Sequence, residues 1–214
     1  MTIAITGATG QLGRLAVAAL KARGAQPVAL VRDPAKAADL KVETRAFDYT
    51  SADPAALKGV DTLVLISSND FNDRAGQHRK VIAAAKAAGV KRLVYTSILK
   101  GDASPMILAQ DHIATEAAIR DAGIPATILR NGWYSENYTG ALGAAVQHGA
   151  IVGAAGAGRV KSAARKDYAE AIAVTALVDG LWLELCLSPG CFSVGEASGI
   201  ARRFLDTIVP ARPG

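Results

Sequence analysis

Three glycines near the N-terminus have the spacing and the context of a site for a phosphate-bearing ligand. The segment TGATGQLG places them between an apolar run, Ile3 to Thr6, and an Ala- and Leu-rich helical pattern. Glycine allows the tight turn, the close approach of the backbone to a pyrophosphate and the close helix-to-strand contact, and a helix N-terminus favours anions. The motif therefore predicts a dinucleotide cradle, the alternative being a ligand-free glycine-rich turn. The expected cradle residues are Gly7, Ala8, Thr9, Gly10, Gln11, Leu12 and Gly13.

The end of the second predicted strand indicates which dinucleotide is preferred. Arg32 stands where an acidic residue would bond the ribose 2′-hydroxyl of NAD, and an arginine there pairs instead with the 2′-phosphate of NADP. Asp33 is the competing candidate for the ribose, but the Pro34 that follows it favours a helix-capping role for Asp33. Lys36 adds a second cation nearby. The alternative for Arg32 is an ordinary surface arginine. Asp48, after the third strand, is placed either to approach the adenine or to form a turn.

Polar and aromatic side chains also follow the later predicted strands. In an open α/β sheet, ligands bind outside the carboxyl ends of the strands, so we expect these residues at one edge. Trp133 and Tyr134 have a second interpretation, in which they close the core. The candidate cofactor contacts are Ser67, Ser68, Tyr95, Trp133, Tyr134, Asn137 and Tyr138.

Apolar strands alternate with Ala-rich helices along the first 130 residues. Gly24, Gly89 and Gly123 follow three of the helices, where a left-handed glycine can end them. The alternation predicts an α/β fold, a Rossmann-type doubly wound parallel sheet with helices on both faces. The predicted strands are Ile3 to Thr6, Pro27 to Val31, Val42 to Phe47, Thr62 to Ile66, Arg92 to Thr96 and Ala126 to Leu129. The predicted helices are Leu12 to Arg23, Pro34 to Leu40, Arg74 to Ala88 and Ile107 to Ala122.

Composition argues against several other classes of protein. The net charge is +5, but the basic residues are scattered without stacking aromatics, which gives little support to nucleic-acid binding. Cys186 and Cys191 lack a second Cys or His pair, so neither a zinc site nor a disulfide framework is indicated. Charges interrupt the longest apolar stretch, Ala171 to Leu187, and the first residues do not have the pattern of a signal peptide. We therefore predict a cytoplasmic protein without a membrane helix or a metal.

Taken together, these motifs resemble the NmrA-like branch of the atypical short-chain dehydrogenases, and within it the bacterial NADPH-dependent quinone oxidoreductases. The resemblance runs from Met1 to about Ala173 and includes the Gly-x-x-Gly-x-x-Gly spacing. It implies an NADPH site formed by the glycine loop, Arg32, the Ser67 region and the Trp133 to Tyr138 loop. It also implies hydride transfer to a quinone or a similar electrophilic acceptor. The segments that carry it are Ala4 to Gly13, Val31 to Lys36, Gln77 to Arg79, Tyr95 to Ser97, His112 to Glu116 and Arg130 to Tyr138.

The Tyr-x-x-x-Lys pair that is usual in short-chain dehydrogenases is absent from this chain. His112 and Glu116 have the same i, i+4 spacing on a comparable helix, and a histidine of ordinary pKa can donate a proton to the reduced oxygen. His112 and Tyr134 are therefore the catalytic candidates. The alternative for His112 is a helix-surface histidine paired with Glu116. No role is indicated for His78 or His148.

The C-terminal part departs from the family pattern near Val174. We expect a NAD(P)-binding domain over residues 1–173, and a divergent tail over 174–214 with little periodicity from Leu181 to Gly214. A shifted reading frame, a truncated gene product or a divergent natural tail would each explain it. Without the family's substrate lobe the nicotinamide end would be open to water, and exposed apolar residues could drive homo-oligomer formation. Three hypotheses remain: an active quinone reductase, an NADP-binding redox sensor without turnover, and an inactive, partly folded product.

Overall fold

The computed structural model describes residues 1–150 and 162–187 of the chain, with side chains up to residue 177. The chain divides into two compact units, Met1–Ala176 and Leu177–Gly214, and the site described below lies within the first. The predicted boundary at residue 173 stays a prediction. Within the described ranges, no helix is both long enough and apolar enough to span a membrane.

Eight strands and six helices follow one another in the described part of the chain. The strands are β1 (Ile3–Thr6), β2 (Val28–Val31), β3 (Thr44–Ala46), β4 (Thr62–Leu65), β5 (Arg92–Ile98), β6 (Ala126–Asn131), β7 (Trp133–Tyr134) and β8 (Ser162–Ala163). The helices are α1 (Gln11–Ala22), α2 (Arg74–Ala87), α3 (Ala109–Ala122), α4 (Glu136–Thr139), α5 (Leu142–His148) and α6 (Arg165–Leu187). Short 3₁₀ helices cover Pro34–Leu40, Pro54–Leu57 and Gly101–Ala103.

The main sheet has six parallel strands in the order β3-β2-β1-β4-β5-β6. Ile5 of β1 pairs with Ala29 of β2 on one side and with Val64 of β4 on the other. The strand order reverses at β1, and the crevice at such a switch point is where open α/β sheets bind ligands. The predicted Rossmann-type doubly wound sheet is confirmed.

The sheet is buried on both faces because its central strands are apolar along their whole length. Every residue of β1, β2 and β4 is buried. Alternate residues, such as Ala4, Leu63 and Leu93, join one cluster with α2 and α3. Val17 and Leu20 of α1 are buried outside that cluster. Because both faces of the sheet are buried, the sequences of these strands are apolar without alternation.

The residues predicted to cap helices have the expected conformations and hydrogen bonds. Gly24, Gly89 and Gly123 all have positive φ, at +79°, +72° and +70°. The Asp33 side chain accepts a hydrogen bond from the Ala35 N–H at 3.0 Å, which confirms its predicted capping role. The helix that follows, Pro34–Leu40, is 3₁₀ rather than α.

The described part of the predicted tail is helical. The sequence from Leu181 onward shows little periodicity, yet α6 continues to Leu187. The run AVTALVDGLWLELCL is rich in strong helix formers but apolar nearly all round, so it has helix propensity without an amphipathic period. The rest of the predicted tail, residues 188–214, lies outside the described residues.

Candidate dinucleotide-binding site

The loop between β1 and α1 has the close packing that its glycines predict. Gly7 has a φ of +61°, and its carbonyl accepts a hydrogen bond from the Gly10 N–H at 2.9 Å. A Cβ on Gly13 would lie 2.8 Å from the Ala8 Cα and closer still to the Gly7 carbonyl oxygen. Only glycine lets α1 approach the loop this closely. A glycine-rich turn without a ligand would not need this close contact at Gly13.

The first turn of α1 is open to an anion. Its N-cap, Gly10, has no side chain to bond the free N–H groups of the turn. Ala8 and Leu12 are buried behind the loop, whereas Gln11 is exposed. Helix N-termini of this kind bind phosphate through backbone N–H groups and the helix dipole. The loop thus has the uncapped helix N-terminus and the close glycine packing that a site for a pyrophosphate needs.

The end of β2 presents a free cation beside this loop. Arg32 is exposed and has no hydrogen-bond or salt-bridge partner among the described residues, and its positive charge helps to lower the pKa of Asp48. Asp33 is engaged in capping, and the Lys36 ammonium lies 3.8 Å from its carboxylate. One oxygen of the Asp33 carboxylate is therefore used in capping, while the arginine is available to a ligand.

The turn after β3 uses Asp48 structurally and brings in a residue that the sequence analysis missed. The Thr50 backbone N–H and hydroxyl donate to the Asp48 carboxylate at 2.8 and 2.7 Å, which holds the Asp48 pKa below its usual value. The turn interpretation is confirmed, and contact with the adenine stays a prediction. Tyr49 donates to the Ile66 carbonyl at 2.8 Å, and its hydroxyl lies 3.2 Å from the position of a Cβ on Gly7. In the sequence, only the position of Tyr49 next to Asp48 points to a place near the site.

The loop after β4 is fixed by side chains of β5 and α2. The Ser67 N–H donates to the Thr96 hydroxyl at 2.9 Å, and the Ser68 N–H donates to His78 Nε2 at 2.9 Å. The Ser68 hydroxyl donates to Gln77 at 2.7 Å. His78, for which the sequence indicated no role, therefore holds the loop that carries both predicted serines.

His112 lies below the surface of the site. It is 6% exposed, and its Nδ1 is 2.7 Å from the hydroxyl of Tyr95. Burial, aided by the positive charge of Arg74, lowers the pKa of His112 to about 4. The expected titration near 6.5 is wrong, and so is the alternative of a surface pair with Glu116, because the imidazole is bonded to Tyr95 instead. Tyr95 has no exposed surface, so direct contact with a cofactor has no support and its place is in the layer beneath.

Glu116 is committed to a different pair of groups. Its carboxylate accepts from the Ser97 hydroxyl at 2.6 Å and from the Arg130 guanidinium at 2.8 and 3.1 Å. Burial alone would raise the pKa of Glu116, but the hydrogen bonds from Arg130 and Ser97 outweigh it and lower the pKa. Glu116 is therefore a carboxylate at neutral pH. No pattern in the sequence indicates that Glu116 bonds Ser97 and Arg130.

The loop after β6 presents aromatic rings. Trp133 is 43% exposed, so the interpretation that it closes the core is wrong. Tyr134 is half-buried. The centroids of the Tyr134 and Tyr168 rings are 5.2 Å apart, and the guanidinium carbon of Arg165 lies 4.9 Å from the Tyr134 ring centroid. Burial raises the pKa of Tyr134, so its hydroxyl keeps its proton at neutral pH. Asn137 and Tyr138 are exposed, and the Asn137 oxygen accepts from Arg165 at 2.9 Å.

Parallel pairing sends the loops after β1, β2, β4, β5 and β6 to one edge of the sheet. The predicted contacts Gly7, Arg32, Ser67 and Trp133 share this edge, each at the end of its own strand. The described part of the chain contains no group of His, Cys, Asp or Glu side chains that could hold a metal ion.

Comparisons with known proteins show the family of this chain. The NAD(P)H-binding family matches residues 7–177. Quinone oxidoreductase 2 of Escherichia coli is 53% identical over 80% of this chain and 62% of its own. An NmrA-like family domain-containing oxidoreductase of Aspergillus flavus is 34% identical over 45% of this chain and 34% of its own.

Solved structures give the same likeness. The NADPH complex of the NADPH-dependent quinone oxidoreductase of Escherichia coli has a TM-score of 0.77 at 52% identity, over 82% of this chain and 64% of its own. The NADP(H) complex of the Citrobacter sp. triphenylmethane reductase has a TM-score of 0.75 at 41% identity, over 82% of this chain and 65% of its own. The chain thus spans less than two thirds of the length of these relatives. The family match, the sheet order and the glycine cradle agree, and this chain belongs to the NAD(P)H-binding family.

Proposed function

We propose that this protein is an NADPH-dependent oxidoreductase that reduces a quinone or a similar electrophilic acceptor. The observation that carries the cofactor preference is the unpaired Arg32 guanidinium at the end of β2, next to a glycine cradle with an open helix N-terminus. A free guanidinium suits a phosphate dianion, whereas the neighbouring Asp33 carboxylate is used by the Ala35 N–H. Arg32 and the cradle would hold the 2′-phosphate and the pyrophosphate.

The names of the relatives support the choice of acceptor. One relative is named for quinones and another for triphenylmethane dyes, and both kinds of acceptor are conjugated and electrophilic. Exposed Trp133 and Tyr138 offer ring surfaces at the same edge of the sheet, where such a molecule can stack. We therefore infer a conjugated, electrophilic acceptor with a ring face that can stack.

The protein's part in the reaction is to orient and to hydrogen-bond. NADPH, when bound, supplies a hydride to the acceptor. His112 is neutral and Tyr134 is protonated near pH 7, so each can donate a hydrogen bond to an acceptor oxygen as it gains charge. A quinone needs little acid catalysis, which agrees with a site in which Glu116 replaces the usual lysine and is tied to Arg130.

A second candidate is a redox sensor that binds NADP without turnover. One observation favours it: the Tyr-x-x-x-Lys pair that is usual in short-chain dehydrogenases is absent from this sequence. The cytoplasmic location, the small-molecule acceptor, the homo-oligomer and the lack of nucleic-acid binding stay predictions under either function.

The decisive experiment compares binding and turnover in one preparation. Dissociation constants for NADPH and NADH are measured by fluorescence titration, and NADPH oxidation is followed at its absorbance maximum with 1,4-benzoquinone. Turnover supports the reductase, tight NADPH binding without turnover supports the sensor, and equal affinity for NADH and NADPH contradicts the cofactor assignment.

Arg32→Ala tests the residue that carries the proposal. Loss of a charge-assisted hydrogen bond to phosphate should weaken NADPH binding about tenfold to hundredfold, and NADH binding less than about twofold. The matched control is Arg79→Ala, which removes an exposed arginine from α2 and should leave both constants unchanged. An equal loss for both nucleotides in Arg32→Ala would show that the arginine is not a 2′-phosphate ligand.

A further inference from the structure

Arg14 of α1 contacts two parts of the candidate site that lie on different segments of the chain. The Arg14 backbone N–H donates to the Gly10 carbonyl at 2.9 Å, so Arg14 lies one turn after the helix N-terminus of the cradle. Side chains of a helix point back toward its N-terminus. The Arg14 side chain is therefore directed to the cradle, whose own residues, 7–13, carry no charged side chain.

All three nitrogens of the Arg14 guanidinium have partners in the protein. Nε donates to the carbonyl of Thr9, a cradle residue, at 3.1 Å. Nη1 pairs with the Asp39 carboxylate, and Nη2 donates to the Lys36 carbonyl at 3.3 Å. Both of these partners belong to the 3₁₀ helix Pro34–Leu40. A single side chain thus bonds the cradle and this helix together.

The Pro34–Leu40 helix carries the backbone of the proposed 2′-phosphate ligand. Asp33 caps the helix, and Arg32 is the residue just before this cap. Only Ala37 and Leu40 of the helix are buried. Hydrogen bonds in 3₁₀ helices have poorer geometry than those in α-helices, so the position of this short helix depends on its contacts with α1.

We infer that Arg14 is a positioning residue that fixes the spacing between the cradle and Arg32, and thereby sets the preference for NADPH over NADH. The inference rests on the proposed function, in which Arg32 holds the 2′-phosphate. Arg14 is not itself a phosphate ligand, because each of its three nitrogens is bonded to a protein oxygen and the Asp39 carboxylate balances its charge. Preorganised spacing lets the pyrophosphate and the 2′-phosphate bind at once without the cost of ordering the protein.

The ion pair alone would not be enough for this role. The Arg14 and Asp39 side chains are 38% and 64% exposed, and such pairs contribute less than about 1 kcal/mol to stability. The planar fork of an arginine, however, makes several bonds in fixed directions, and two of them reach backbone carbonyls of different segments. Their loss should release the Pro34–Leu40 helix and have little effect on global stability.

Arg14→Ala tests the inference through the dissociation constants of NADPH and NADH, measured by fluorescence titration. The constant for NADPH should rise about threefold to tenfold, because Arg32 is present but must be ordered on binding. The constant for NADH should rise less than about twofold, since the packing at Gly13 holds the cradle without Arg14. A general loss of folded protein would change both constants alike, so an unchanged ratio of the two would overturn the inference.

A double variant separates positioning from direct contact. If Arg14 acts through Arg32, Arg14→Ala combined with Arg32→Ala should have the same NADPH-to-NADH ratio as Arg32→Ala alone. A further loss of NADPH affinity in the double variant would show that Arg14 contacts the phosphate itself, and would overturn the inference. Arg14→Lys keeps the charge but not the fork, so its ratio should stay near that of Arg14→Ala. A wild-type ratio in Arg14→Lys would contradict the role of the fork.

Lys21→Ala is the matched control. Lys21 also lies on α1, and its ammonium donates to the Leu40 carbonyl at 2.8 Å, at the far end of the same 3₁₀ helix. It makes no bond to the cradle, so its removal should leave the NADPH-to-NADH ratio as in the wild type. A change equal to that of Arg14→Ala would overturn the specific role of Arg14.

Hydrogen exchange of the nucleotide-free protein tests the tether without any cofactor. The backbone N–H groups of residues 35–40 should exchange faster in Arg14→Ala than in the wild type, and unchanged exchange would overturn the inference. None of these measurements needs an acceptor, so the reductase proposal can fail for lack of turnover while the role of Arg14 stands. A wild type that prefers NADPH, together with an unchanged ratio in Arg14→Ala, would refute the role of Arg14 and leave the cofactor assignment in place.

Discussion

At the scale of single residues, the most consequential feature is the buried carboxylate of Glu116. Glu116 is buried, ionised and bonded to both Ser97 and Arg130. The arrangement also explains a glycine: a Cβ on Gly101, whose φ is +50°, would lie 2.6 Å from the Arg130 guanidinium carbon. The carboxylate thus joins the ends of β5 and β6 to α3.

Glu116→Ala tests this junction. It leaves the buried Ser97 hydroxyl without its acceptor and the Arg130 guanidinium without its counter-ion, so the free energy of unfolding should fall by about 2 kcal/mol. Urea denaturation at pH 7.5 measures the change. Glu43→Ala is the matched control, because Glu43 pairs with Arg45 while 59% exposed, and such pairs contribute less than about 1 kcal/mol. Equal losses in the two variants would show that Glu116 is only a surface partner.

At the scale of elements, strands and their ends could be predicted better than contacts. The strands of the main sheet are predictable because short runs rich in apolar residues end at polar residues or glycine. The contacts between elements were not found. Tyr95 and His112 are 17 positions apart, and Glu116 and Arg130 are 14 apart. No local period links them, and only the packing of α3 on the sheet brings them together.

Gly13→Ala tests the contact between α1 and the cradle. The added Cβ would meet backbone atoms of Gly7 and Ala8, which cannot turn aside as a side chain would. We expect a loss of about 1–3 kcal/mol in the free energy of unfolding and a large loss of NADPH affinity.

Gly143→Ala is the control for that variant. Gly143 lies within α5, and nothing stands within 4 Å of an added Cβ. This change should leave NADPH affinity unchanged and stability equal or higher by about 1 kcal/mol, since alanine favours helix. Undiminished NADPH affinity in Gly13→Ala would contradict the proposed cradle.

At the scale of the whole molecule, the buried histidines make folding sensitive to pH. Burial lowers the pKa of His78 to about 3 and that of His112 to about 4, whereas an unfolded histidine titrates near 6.5. Below pH 6.5 the unfolded chain takes up protons that the folded chain does not, so stability falls as the pH falls. Carboxylates with a lowered pKa, such as Glu116, add to this loss only below about pH 4.5.

Between pH 7.5 and 5.0 we expect each buried histidine to remove about 2 kcal/mol, and the two together about 4 kcal/mol, from the free energy of unfolding. Urea denaturation across this range measures the loss, and ¹H–¹⁵N spectra of the folded protein check that both rings stay neutral. His148→Asn should leave the slope unchanged, because His148 is exposed, whereas His78→Asn should roughly halve it. Should His78→Asn fail to fold, the wild-type slope and spectra still decide the matter: a flat profile, or a His78 that titrates near 6.5 in the folded protein, would mean that the layer beneath the site is open to water.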